Sequence, residues 1–320
     1  MLNRMRSSIL TLCFGAIAVV PVKAQSPLFV EPPGWGLGVN FGLADLWGDV
    51  GTKSIKDHYF NGKYFDKPHF MGGIFARYSF HPSIAVRMGV NYGTLYANDN
   101  WNEKGFEKAT SIKDDYYQRY IRNLDIKTNI WEGHLLLELT PLRLFNLEGK
   151  LAGNRFQPYF LAGIGGFHFK PTSEHYFRNK EGGGKWTKIN DLHLEGQGFK
   201  FDGAPERYEL WQMSAPLGIG VRWDVGYQLS LGIEYLYRMT VFDYLDGVSG
   251  NYVDPGYFEA NLTPANATHA SNLHDKSWLV DPSISHYNGD VRGNSAVNDG
   301  YSTISITLCY KIRRKADYWW

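Results

Sequence analysis

The run FDYLDGVSGNYVDP, Phe242 to Pro255, gathers Asp243, Asp246, Ser249, Asn251 and Asp254 around two glycines. So many oxygen donors in so short a stretch is what a calcium loop offers. An EF-hand needs Gly at loop position six, acids or amides at one, three and five, and Glu at twelve. With Gly247 at six, Phe242 falls at one, Tyr244 at three and Val253 at twelve, so only Asp246 fits. The run is therefore expected to be an ordered turn, built from Asp, Gly, Ser and Asn, with no metal or cofactor. A second chemistry would be nucleophilic. His134 and His168 have Ser214, Ser230 and Ser305 available, but no spacing motif joins them, and the histidines read as hydrogen-bonded fillers. Asn261-Leu262-Thr263 and Asn266-Ala267-Thr268 match glycosylation triplets, which arise readily by chance.

Positioning these residues falls to segments that alternate with period two. In GWGLGVNFGLADLW, Trp35, Leu37, Val39, Phe41 and Leu43 share a face against Gly36, Gly38, Asn40 and Gly42. HFMGGIFARYSF, SIAVRMGVNYGTLY, WEGHLLLELT, YFLAGIGGFHF, LWQMSAPLGIGVRW, LSLGIEYLYRMTV and YSTISITLCYKI repeat the pattern. In YFLAGIGGFHF, the alternation assigns Tyr159, Leu161, Phe167 and Phe169 to the apolar face and His168 to the polar one. The connections alternate too: short at His81-Pro82-Ser83 and at DVGY, long at about 48–68, 97–125, 171–207 and 243–300. Eight strands of roughly ten residues or more can each cross a bilayer at a tilt. Lipid cannot satisfy backbone N–H and C=O groups, so such a sheet must close. The expected fold is all-β: an eight-stranded antiparallel up-and-down transmembrane β-barrel with long extracellular loops. Trp35, Trp211, Trp223 and Tyr96, at strand ends, are expected to form its interfacial girdles. A soluble sandwich would also alternate, but the strand lengths and girdle residues favour the barrel.

Composition agrees. Aromatics make up 16% of the 320 residues and glycine contributes 35. Arg4 and Arg6 precede the apolar run Ile9 to Val20, and Val22-Lys23-Ala24 offers small residues for cleavage, so residues 1–24 read as a secretory signal peptide. Residues 25–312 are then the barrel, and RRKADYWW, 313–320, a short basic and aromatic tail. With 33 basic and 32 acidic residues, nothing suggests a nucleic-acid partner. Cys309 stands alone once Cys13 leaves with the signal peptide, so no internal disulfide is expected.

An eight-stranded lumen is just filled by side chains. The face opposite the apolar one carries Arg77, Arg87, Glu132, Glu138, Arg222, Glu234 and Arg238. Buried charges must be paired, so these seven are expected to form a structural ion-pair network.

The segments YIRNLDIKTNIWEGHLLLEL, LEGQGFKFDGAPERYELWQMSAPLGIGVRW, DYLDGVSGNYVDP and DVRGNSAVNDGY, with LADLWGDVG near the start, resemble the PorG-type outer-membrane barrels of Bacteroidetes. The likeness runs through nearly all of the mature chain. It is carried by Glu195-Gly196-Gln197-Gly198, by Asp243, Asp246, Gly247 and Asp254, and by Arg292, Gly293 and Asn294. The resemblance implies a non-enzymatic barrel exported to the cell outer membrane and held in its lipid. For the PorG branch it also implies a structural or anchoring part in the type IX protein secretion system, beside the periplasmic ring of the PorK lipoprotein and PorN. Two other readings stand beside it: a surface-binding or adhesive barrel that uses its long outer loops, and a lipid-A-modifying barrel enzyme.

Overall fold

The computed structural model describes residues 33–52, 54, 55, 58, 69–144, 155–175, 185–225 and 228–312. The signal-peptide segment 1–24 and the tail 313–320 lie outside the described residues.

Eight long strands form the wall: β1 (Gly34–Trp47), β2 (Phe70–His81), β3 (Ile84–Asn98), β4 (Asp125–Leu139), β5 (Phe156–His175), β7 (Trp211–Asp224), β8 (Leu229–Thr240) and β9 (Gly300–Ile312). A short β6 (Lys185–Lys188) pairs only with the outer end of β5. Every wall strand runs antiparallel to its sequence neighbours, and β9 pairs with β1 from Gly300↔Trp47 to Ile312↔Trp35. The sheet is therefore closed and its wall has no free edge. The turns β2–β3 and β7–β8 are short and share one end with Gly34 and Ile312. The four long connections share the other. In outer-membrane barrels the short turns face the periplasm.

Residues outside the wall are apolar and exposed. Ile74 keeps 67% of its surface, Ile233 64% and Trp211 69%. A water-soluble protein would not leave a continuous belt of this kind open. Aromatic pairs mark both margins: Trp35 against Tyr78 and Phe156 against Trp223 near the short turns, Tyr92 against Trp131 and His168 against Trp211 nearer the loops.

The lumen has two halves. Toward the short turns it is mostly polar and charged, with a small apolar cluster of Leu136, Tyr159, Leu161 and Leu236. Toward the loops it is apolar, and its core of Leu95, Ile130, Phe167, Phe169 and Tyr301 continues into Phe242, Leu245, Val253 and Phe258 of the loops. Inside the wall, glycine makes room where a large side chain crosses. A Cβ on Gly38 would stand 2.3 Å from the Phe75 ring.

Two expectations from the pattern are corrected here. Tyr159, Leu161, Phe167 and Phe169 point into the lumen, while Phe160 and Ile164 face out and His168 packs at a tilt against Trp211 at 5.0 Å outside. On β5 the lumen side packs Phe167 and Phe169 into one apolar cluster and Tyr159 and Leu161 into another, so both faces are oily and hydrophobicity alone cannot tell them apart. Tyr96 is not in the girdle either. It is buried, with Trp101 at 5.8 Å and Trp186 at 6.1 Å, because the loops cover the upper rim of the wall.

Candidate functional site

The seven charges of the inward face all lie in the lumen and all find partners. Glu138 is gripped by two guanidiniums: Arg77 Nη2 at 2.8 Å and Arg222 Nη1 at 2.6 Å. Arg87 holds Glu234 with two parallel bonds of 2.8 Å, and the Tyr159 hydroxyl donates to the same carboxylate at 3.1 Å. Arg238 reaches Glu132 at 3.1 Å and donates to Thr303 Oγ1 at 2.6 Å. The partners come from across the barrel. Glu234 and Arg238, four residues apart on β8, bind β3 and β4 and not each other. Bidentate arginine geometry between buried side chains is what makes such pairs hold. Below them Asp224 accepts from Lys311 Nζ at 2.7 Å and Arg143 Nη2 at 3.2 Å, a second plug that the pattern did not single out.

The nucleophilic constellation does not assemble. His134 Nδ1 lies 3.1 Å from Glu132, but its Nε2 points over Gly89 on β3, within 2.7 Å of where a Cβ would be. Ser214 Oγ sits over Gly165 on β5, on the other side of β4. His168 is outside the barrel, and Ser230 gives its hydroxyl to the Cys309 carbonyl at 3.4 Å. A serine with no base in reach is not an activated nucleophile.

The motif residues of the loops converge instead on a cap over the open end. Helix α1 (Asp115–Arg122) starts with the Asp114 side chain accepting the Tyr116 N–H at 2.9 Å, and its last residue does the joining. Arg122 donates to Asp99 Oδ2 at 2.9 Å, to the Arg292 carbonyl at 2.6 Å and to the Asp49 carbonyl at 2.5 Å. Glu195, from the third long connection, accepts the Ser249 N–H at 3.0 Å, the Gly250 N–H at 2.8 Å and Arg292 Nη1 at 2.8 Å. Asn294 N–H closes on Asp49 Oδ2, and Gly293 N–H on the Gly250 carbonyl at 2.8 Å. Through Arg122 and Arg292 all four long connections are tied together.

The turn 243–254 lies at the centre of the cap. Asp246 accepts two backbone N–H groups, Val50 at 2.8 Å and Val248 at 2.9 Å. Gly247 has φ +75°, the left-handed region that suits glycine. Asp254 accepts the Gly256 N–H at 2.7 Å and opens α2 (Gly256–Asn261). Thr263 caps α3 (Pro264–His274), accepting the Asn266 N–H at 3.4 Å, and Thr268 bonds the Pro264 carbonyl at 2.9 Å, so both sequon threonines serve local helix structure. Among the described residues no group of three His, Cys, Asp or Glu side chains has the spacing to hold a metal ion. Burial, together with Asp49 and Glu195, pushes the Asp243 carboxyl up to about 7. Burial and the adjacent Arg292 pull His274 down to about 3, which leaves Nε2 bare to accept the Val253 N–H at 3.1 Å.

Beside the cap, between α1 and residues 284–294, is a cleft of about 530 Å³ lined by Tyr117, Arg119, Ile284, His286 and Asp290 among others. His286 stacks flat on Tyr252 at 4.3 Å and is held by Asp275 at 3.1 Å. No local pattern marks this cleft, because its walls come from residues far apart in the chain.

No curated protein matches the chain. Among solved structures it is similar to Ail, the attachment invasion locus protein of Yersinia pestis, at 9% identity and TM-score 0.36, covering 88% of this chain and 100% of that one. It is also similar to the Neisserial surface protein A, at 11% identity and TM-score 0.35 with the same coverage, and to OprG from Pseudomonas aeruginosa, at 10% identity and TM-score 0.33, covering 88% and 98%. Likenesses this distant say nothing of function. The family model of the outer membrane protein β-barrel domain matches residues 9–263, most of the wall built above, and the chain belongs to that family.

Proposed function

We propose that this chain is a non-enzymatic outer-membrane scaffold, exported by its N-terminal signal peptide, that anchors or helps assemble a type IX protein secretion machine. One observation carries the reading. The separate pieces through which the sequence resembles PorG-type barrels meet in a single bonded cluster: Asp49, Arg122, Glu195, Asp246 and Arg292. Scattered short matches would not be expected to share one physical role, whereas a shared architecture would bring them together. A lumen filled with paired charges suits a scaffold better than a conduit. The partners proposed are the periplasmic ring proteins PorK and PorN, met on the short-turn side. Crosslinking in intact cells followed by pull-down should recover those ring proteins with this chain. Normal cargo secretion from a deletion strain would dispose of the proposal.

A second reading is surface binding by the outer loops. It is favoured by the cleft beside α1 and by exposed apolar residues around it, among them Ile112 and Val291. Replacing Ile112 and Val291 with Ser would separate the two readings: secretion is unchanged and surface attachment falls if the loops bind, and neither changes if the scaffold reading is complete.

A further inference from the structure

Where β1 leaves the wall, the chain passes under two buried carboxyl groups. A Cβ on Gly48 would stand 2.5 Å from Asp246 Oδ2 and 2.6 Å from Asp299 Oδ1, so these two oxygens lie within about 5 Å of each other. Both residues are almost wholly buried. Three of their four oxygens are used. Asp246 takes the Val50 and Val248 N–H groups, and Asp299 Oδ2 takes those of Leu245 at 2.8 Å and Asp246 at 3.2 Å. The fourth, Asp299 Oδ1, is buried with no hydrogen-bond partner and faces Asp246.

The surroundings do not neutralise them. Asp243, from the end of β8, and Asp49, from the end of β1, add negative charge. Arg122 on α1 is engaged by Asp99, Arg292 by Glu195, and Arg119 by Asp115 and, at 4.0 Å, by Asp49. Further along β1, Asp45 has its own partner in His58 at 2.8 Å. Among the described residues no ion pair reaches Asp243, Asp246 or Asp299. Two unpaired carboxylates so close and so buried cannot both stay ionised at ordinary pH.

We propose that Asp246 and Asp299 keep one proton between them at neutral pH, and that losing it loosens the outer cap from the rim of the barrel. The proton gives the orphan oxygen of Asp299 a hydrogen-bond role toward Asp246. It also removes a repulsion at the point where the first and last long connections join. Burial raises both carboxyls above the ordinary 3.8, helped at Asp246 by the charge of Asp49 and at Asp299 by the charges of Asp246, Asp243 and Asp49. A raised acid binds more protons folded than unfolded. Its contribution is therefore whole below the ordinary value of 3.8, declines from there, and is gone once pH has climbed through the raised value. The cap is tightest below neutrality and weakens toward alkaline pH. This inference does not depend on the secretion reading.

The test uses the full chain refolded in lipid vesicles. Limited proteolysis of the 243–299 connection is followed from about pH 6 to about pH 9, with rates normalised to an unstructured peptide. The rate should rise about tenfold in the native protein. It should rise far less in Asp299→Asn, whose neutral amide can face Asp246 permanently, leaving Asp243 as the neighbouring raised carboxyl; Asp246→Asn, whose amide can accept only one of the Val50 and Val248 N–H groups, should start higher and also rise less. Heat-modifiable migration on electrophoresis reports whether each barrel is folded. If neither variant folds, infrared spectroscopy of the native protein with 13C-labelled aspartate decides. A protonated-carboxyl band present at neutral pH and gone at alkaline pH upholds the idea, and its absence at neutral pH overturns it. A native rate that ignores pH, or one that rises equally in both variants, also overturns it. So does an alkaline rise abolished by calcium and restored by a chelator, because a cation and not a proton would then hold the pair.

Discussion

Glu138 shows what one residue does inside this wall. It is fully buried and answers two arginines, Arg77 and Arg222, which come from β2 and β7. In Glu138→Gln two buried guanidiniums would face a neutral amide. Removing one side of a buried ion pair costs about 3–5 kcal/mol, mostly because the other charge is left stranded. The variant should unfold from detergent micelles at clearly lower urea than the native chain, and adding Arg222→Met should recover part of the loss. A native-like midpoint for Glu138→Gln would mean the pairs contribute little. The presence of these charges on the inward face was legible in the sequence, since alternation with period two sorted Arg77, Arg87, Glu132, Glu138, Arg222, Glu234 and Arg238 to one side. Their partnerships were not. Arg87 and Glu234 are 147 residues apart and meet across the lumen, and nothing local in either segment encodes that.

At the scale of elements, the wall strands were readable because each carries its own pattern, and the cap was not because its order is borrowed. The strand beginning at Gly34 was legible from end to end. On β4 the reading began at Trp131, although the strand starts at Asp125, because the first residues lie above the membrane and have oily or polar neighbours on both faces. β5 was read with its faces reversed for a related reason, as its loop-side half packs Phe167 and Phe169 into an apolar lumen. The acid-rich turn carries its own Asp, Gly, Ser and Asn signal, but its place at the hub of four connections depends on partners in distant segments. Glu195 is the element-scale test. Its carboxylate holds Arg292 and two backbone N–H groups, so Glu195→Ala strands a buried guanidinium and frees the turn at Ser249. The expected result is a cap destabilised by about 3 kcal/mol, with proteolytic cuts appearing within 243–254 and 284–294 while the barrel keeps its heat-modifiable migration. Loss of the barrel itself would show that cap and wall fold as one unit.

For the molecule as a whole, the inside is where charges pair and the outside is where oil is exposed, the reverse of a soluble protein. That inversion is stable only if lipid covers the belt. Ile306 is near the middle of β9, faces outward and pairs with Ile233 of β8, another exposed isoleucine. Tyr287, on the cap, is still more exposed, at 74% against 60% for Ile306. By exposure alone, arginine should be tolerated equally at both positions. With lipid around the wall the two must differ. Arginine near the bilayer midplane of such a barrel costs about 2–4 kcal/mol and falls toward zero away from it. Ile306→Arg should therefore lower folding stability in phospholipid vesicles by about that amount and slow assembly into outer membranes, while Tyr287→Arg should stay within about 0.5 kcal/mol of the native chain. Equal tolerance at the two positions would mean that water, not lipid, touches the oily belt, and the closed wall with its filled lumen would then need a different explanation.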